Sequence, residues 1–153
     1  MNILAIETSF DETAAAVVED GTKIITNVIA SSKAMHEKYG GVVPELAARQ
    51  QLQSIIPVLT EARTDYDVVA VTIGPGLIGS LLVGVETAKT IAMVTGKPLI
   101  PVNHVLAHMY ANFIDNKTIE FPAISLVVSG AHTEVYLMKN MKDLTWLGGT
   151  IDD

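Results

Sequence analysis

At 153 residues, 49% hydrophobic and 18% charged, the chain is long enough for a domain with a real core and too apolar for a disordered one. A formal net charge of −7 argues against a module that grips nucleic acid by itself, because phosphate binding rests on clustered Lys and Arg. Without cysteine, disulfides and thiolate metal sites are excluded. The N-terminus has no basic region or cleavage signal, and Gly, Thr, Lys and Glu interrupt the apolar stretches. A cytoplasmic protein with no membrane span is expected.

Residues 3–8, 13–18 and 23–30 read as three strands, the last two joined by the hairpin signal Asp20-Gly21. A polar loop, 32–43, carries His36, Tyr39 and Gly40-Gly41. Pro44 suits the first turn of a helix whose apolar positions are Ala48, Leu52, Ile55, Ile56, Leu59 and Ala62. Pro57 predicts a kink or a break. Residues 67–73 (DVVAVTI) form a buried strand that turns through Gly74–Ser80 into a second helix. Its apolar face is Ile78, Leu81, Leu82, Val85, Ala88 and Ala92, and Gly96 stops it. A strand at 98–102, a helix from His104 to about Phe113, and strands at 123–128 and 134–138 complete the order. A strand meander followed by alternating strands and helices predicts an α/β fold with a mixed sheet.

A faint internal repeat supports a two-lobed reading. An apolar strand, a small polar pair, and a Thr opening a returning strand occur at 3–13 and again at 124–133. Such paired hairpins mark the actin-like ATPase (ribonuclease H-like) architecture. The first lobe is expected over residues 1–122. Residues 123–153 are expected to begin a second, truncated lobe.

Four features bear on chemistry. His104 and His108 lie four apart, which on a helix puts two imidazoles on one face for a shared metal ion. Val105 stands where a zinc protease would carry its glutamate, so that chemistry is not supported. The loop 74–80 contains G-x-G-x-x-G. It lacks the acid of a dinucleotide site at the end of the next strand and the Lys-Ser/Thr of a Walker loop, so a close-packing role is preferred. Asp11 and Glu12 sit on the first hairpin tip, where an ordinary acidic turn competes with a nucleotide-facing one. The turn Ser129–Thr133 offers backbone N–H groups, a hydroxyl and an imidazole to an anion, or is a plain hairpin.

Together these segments resemble one family. IETSFDET (6–13) is similar to IETSCDET, HEKYGGVVPELAAR (36–49) to HxxYGGVVPExASR, and GPGLIGSLLVG (74–84) to GPGLxGALLVG. HVLAH (104–108) resembles the family's H-x-x-G/A-H metal motif. VVSGAHTE (127–134) resembles LVSGGHT, and the final IDD resembles the start of SIDDAAGEAFDK. The family is the tRNA N6-adenosine threonylcarbamoyltransferases, formerly called glycoproteases.

The resemblance implies an actin-like fold and transfer of a threonylcarbamoyl group from an adenylate donor to the exocyclic amine of the adenosine beside the tRNA anticodon. It implies one divalent metal, iron(II) or zinc, on His104 and His108 together with an Asp from a second half. Val127, Val128, Ser129, Gly130, Ala131 and His132 would contact the adenylate donor or ATP. Asp11 and Glu12 become the catalytic candidates, facing the same cleft. The implied partners are tRNA and a non-catalytic glycoprotease-like paralogue; that paralogue's scaffold role is the alternative for this chain, which as given is expected to be inactive. The unfinished second lobe predicts a homo-oligomer, meeting through residues 123–138 or the 44–63 helix. Phe10 in place of the usual Cys and Ala131 in place of a Gly depart from the pattern.

Overall fold

The computed structural model describes residues 1–116, 118–129 and 133–150. It forms two compact units, Met1–His104 and Val105–Asp153.

The first unit is built on a five-stranded mixed sheet in the order β3-β2-β1-β4-β5. β1 (Asn2–Glu7), β2 (Glu12–Glu19) and β3 (Lys23–Ser31) are an antiparallel meander. β4 (Val68–Gly74) runs parallel to β1, pairing Leu4 with Val69, and β5 (Leu99–Asn103) runs parallel to β4. Asp20 and Gly21 both take positive φ, 50° and 76°, as the turn joining right-twisted strands requires.

Helix α2 (Pro44–Glu61) and helix α3 (Ile78–Thr95) pack together and against the sheet. Leu4, Ile6, Val17, Ile55, Val69, Val71, Val83 and Ala88 form the core between these layers. α3 has the length and hydropathy of a membrane span, contrary to the expectation of interrupted apolar stretches. Its Leu81, Val83 and Ala88 are committed to the protein core, whereas Ile78, Leu82, Met93 and Val94 are exposed.

Three expectations of detail are corrected. Pro57 lies inside an unbroken α2. Gln53, whose carbonyl would have accepted from residue 57, is exposed like Pro57 itself, so solvent can satisfy it. The buried stripe of α2 is Ala47, Gln51, Ile55 and Val58, whereas Leu52 and Ile56 are each 64% exposed. The 32–43 segment contains a short helix, α1 (Lys33–His36), and a 3₁₀ turn, Glu37–Tyr39.

The α4 helix (His104–Tyr110) is followed by a 3₁₀ segment, Ala111–Asn116, interrupted at Ile114 and Asp115. In the second unit, β6 (Ala123–Val128), β7 (Thr133–Met138) and β8 (Leu144–Thr150) form a separate antiparallel sheet. β8 is an addition to the expected pair of strands. Gly148 and Gly149 read against a strand, but a side chain at Gly149 would lie 2.6 Å from the Thr133 carbonyl oxygen. The close cross-strand approach requires the residue that hid the strand.

Candidate functional site

The candidate site of the first unit gathers where β1 ends. β1 runs out at Glu7, and the chain turns through Thr8, Ser9, Phe10 and Asp11 before β2 begins at Glu12. Thr8 and Ser9 are buried, Asp11 is half-buried and Glu12 is exposed.

Three supports hold this turn. The first is the glycine-rich segment 74–84. Leu77 N–H donates to the Ser9 carbonyl at 2.8 Å, Thr8 Oγ1 donates to the Ser80 carbonyl at 2.8 Å, and Gly84 N–H donates to Thr8 Oγ1 at 3.1 Å. A Cβ at Gly76 would lie 2.7 Å from the Ser9 carbonyl oxygen, and one at Gly84 would lie 2.4 Å from Thr8 Oγ1. The glycines serve close packing, as preferred from the sequence.

The second support is Gln51, fully buried on α2. Its Nε2 donates to the carbonyls of Thr8, Phe10 and Glu12 at 3.2, 2.8 and 3.0 Å. The third is His36. Val43 N–H donates to its Nδ1 at 3.3 Å, so the ring proton sits on Nε2, 3.0 Å from Ser32 Oγ. Ser32 Oγ in turn donates to the Asp11 carbonyl at 2.7 Å. This histidine braces the turn from within the protein.

At the end of β1, Glu7 accepts from Ser9 N–H and from Thr72 Oγ1 of β4. His104 Nδ1 stands 3.4 Å from Glu7 Oε2 and 3.1 Å from Ser9 Oγ. The Phe10 ring lies 5.8 Å from that imidazole, centroid to centroid. The apolar residue at the unusual position thus neighbours the first candidate metal ligand. Burial alone would raise the Glu7 carboxyl. The hydrogen bonds from His104, Ser9 and Thr72 outweigh it and bring the group down from 4.5 to about 2.

The folded value lies below the unfolded one, so the stabilisation is complete above pH 4.5 and is lost as pH falls toward 2. With the side chain 35% exposed, it amounts to roughly 1–2 kcal/mol. Urea unfolding across that interval should show the loss in the wild type, and Glu7→Gln should flatten it. Parallel curves for the two proteins would disprove the assignment.

Among the remaining sequence candidates, His104 and His108 share α4 one turn apart, as their spacing predicts. Among the described residues, no group of three or more His, Cys, Asp or Glu is placed to hold a metal ion, and two histidines by themselves do not complete a site. Two imidazoles on one helix face suit iron(II) or zinc, and the anchored ring of His104 suits a ligand better than a mobile one. In the second unit, Val127 is half-buried and Val128 is 69% exposed on the opposite face of β6, followed by exposed Ser129. Gly130, Ala131 and His132 lie outside the described residues, as do the final Ile151, Asp152 and Asp153. Sequence reasoning missed Glu7, Thr72, Ser9 and Gln51. A carboxylate closing an apolar strand and a lone Gln on an apolar helix face were the available signals.

The sheet order and the helices packed on it define an actin-like, ribonuclease H-like lobe. Solved structures of that kind match the chain. YeaZ from Pseudomonas aeruginosa aligns with 98% of this chain and 66% of its own, at TM-score 0.56 and 16% identity. A ROK hexokinase from Thermus thermophilus aligns with 96% and 48%, at TM-score 0.54 and 16% identity. These likenesses concern the fold. The family model for TsaD, tRNA N6-adenosine threonylcarbamoyltransferase, matches residues 23–153, and the chain belongs to that family. A tRNA N6-adenosine threonylcarbamoyltransferase from Moorella thermoacetica is 52% identical over 99% of this chain and 46% of its own length. One from Persephonella marina is 50% identical over 100% and 46%. The chain spans about half the length of these curated relatives.

Proposed function

We propose that this chain is the N-terminal part of an enzyme that transfers a threonylcarbamoyl group from an adenylate donor to N6 of the adenosine beside a tRNA anticodon. The observation that carries the reading is His104, held by Glu7 at the end of β1 and one helical turn from His108, in a chain of this family. In the reaction the adenosine amine attacks the carbamoyl carbon, the bond from that carbon to the phosphate oxygen breaks, and AMP leaves. A divalent cation, iron(II) or zinc, would polarise the donor's carbamoyl-phosphate end. His104 and His108 would hold it, with a further ligand from the length of the relatives that this chain does not span. Asp11 and Glu12 occupy a turn braced from three sides, which supports a preorganised role close to His104. Val127 to His132 remain the proposed donor contacts. The chain's acidity supports a tRNA grip made mostly by other surfaces.

The test is a full-length protein containing this sequence, assayed with its accessory proteins on unmodified tRNA by nucleoside mass spectrometry. His104→Ala and His108→Ala should each lower bound metal and cut transfer by more than about 100-fold, beyond the usual loss for residues that only support a ligand. Undiminished metal content and transfer in both variants would refute the reading.

We further propose that the paralogous partner docks on the apolar surface of α2 and α3. Those helices meet closely where Gly79 faces Ala48, and Leu52, Ile56, Ile78 and Leu82 flank the crossing at 51–74% exposure. Exposed apolar residues at this density mark contact surfaces. The same surface would pair copies of this chain; the exposed Ile124, Leu126 and Val128 of β6 are the rival contact. In sedimentation experiments, Leu52→Glu with Ile56→Glu should weaken association at least about tenfold, the effect of losing 1.4 kcal/mol. Unchanged association in that variant would exclude α2 as the contact.

A further inference from the structure

We propose that Glu7 is a positioning residue: its carboxylate fixes the neutral His104 ring in the tautomer protonated at Nδ1, which puts the ring's lone pair on Nε2, the nitrogen then suited to bind a cation. The inference rests on the metal reading above for its purpose, and on geometry alone for its substance.

Glu7 Oε2 lies 3.4 Å and Ser9 Oγ 3.1 Å from His104 Nδ1. An ionised carboxylate can only accept. An unprotonated Nδ1 would set its lone pair against the carboxylate oxygen in a half-buried place, where such repulsion is poorly screened. A protonated Nδ1 donates to both oxygens instead. Glu7 itself has no freedom to turn away. Ser9 N–H binds Oε1 and Thr72 Oγ1 binds Oε2, so the carboxylate is held from its own turn and from β4. Ser9 is 2% exposed, and its carbonyl is tied to Leu77 N–H, so the hydroxyl beside the ring is fixed as well. The order of dependence runs from the sheet to Glu7 and Ser9, and from them to the ring. His36 provides an internal contrast. There a backbone N–H donates to Nδ1, and the proton is assigned to Nε2. The structure therefore assigns opposite tautomers to the two rings.

The test uses the 153-residue chain, labelled with ¹⁵N, at a pH where its imidazoles are neutral. Long-range ¹H–¹⁵N correlation spectra distinguish the tautomers by the shifts of the two ring nitrogens. His104 should be protonated at Nδ1 and His36 at Nε2. In Glu7→Ala, His104 should shift toward the Nε2-protonated form, and zinc(II) should perturb its ring at concentrations about 10–100-fold higher than in the wild type. Glu7→Gln, whose side-chain carbonyl can still accept, should restore the tautomer in part; amide spectra establish that each variant is folded. Wild-type His104 protonated at Nε2 overturns the proposal without recourse to any variant. So does a folded Glu7→Ala chain whose His104 tautomer and zinc response match the wild type. An Nδ1-protonated His104 that depends on Glu7 supports the positioning role; the metal reading stands or falls separately, on the bound metal of the full-length His104→Ala and His108→Ala variants.

Discussion

Replacing Gly84 by alanine is expected to destabilise the protein by about 3 kcal/mol, the upper range for forcing a methyl group into a filled core. The added Cβ would lie 2.4 Å from Thr8 Oγ1 and 3.3 Å from the Thr8 methyl. Thr8 cannot step aside, because the same hydroxyl donates to the Ser80 carbonyl and accepts from Gly84 N–H. Alanine's better helix propensity recovers about 1 kcal/mol and does not offset the clash. In thermal unfolding the loss should appear as a fall of roughly 6–12 °C. Gly41→Ala serves as the control, since nothing lies within 4 Å of its would-be Cβ. The double variant Gly84→Ala/Thr8→Ala should recover part of the loss by removing the hydroxyl, giving a coupling energy of stabilising sign. A Gly84→Ala protein as stable as the wild type would mean that α3 does not press on the end of β1.

Gln51→Leu is the second change with a large expected effect. The substitution keeps a side chain of similar bulk on α2 and removes a buried Oε1 that has no partner, which by itself would stabilise. Against this, it deprives the carbonyls of Thr8, Phe10 and Glu12 of their shared donor. Orphaned carbonyls at about 1–3 kcal/mol each outweigh the relieved oxygen, and a net loss of roughly 2–4 kcal/mol is expected in urea unfolding. Gln51→Glu should be worse above the carboxylate range. A carboxylate facing three carbonyl oxygens must stay protonated to fit, so the unfolded chain is favoured as pH rises. The turn should loosen in both variants, read as faster amide exchange at Ser32, whose N–H donates to the Asp11 carbonyl. Unaltered exchange there, with stability intact, would show that Gln51 does not hold the turn.

These two changes test supports that the motif pattern did not reveal. The IETSFDET and GPGLIGSLLVG segments are separately legible, yet only the fold shows that Gly76 and Gly84 of one are the space occupied by Ser9 and Thr8 of the other. The candidate site was therefore half visible. His104 and His108 carry their relation in their spacing, because a helix puts residues four apart on one face. Glu7 and His104 are 97 residues apart and meet because β1, β4 and β5 are neighbours in one sheet. No local period encodes that meeting.

The sequence alone determined the elements whose signals are local. Alternation and apolar runs marked the strands, Asp20-Gly21 the hairpin turn, Pro44 the start of α2 and Gly96 the end of α3. Each depends on a few consecutive residues and the dihedral angles they permit. Tertiary structure decided which face each helix buries and what the turn rests on. α2 turns Gln51 inward and leaves Leu52 and Ile56 exposed, because three carbonyls at the end of β1 lie on its sheet side and need a donor more than the core needs two further apolar side chains. β8 keeps Gly149 because Thr133 of the adjoining strand approaches too closely for a side chain. In both cases the deciding partner is distant along the chain and adjacent only after the sheets have paired.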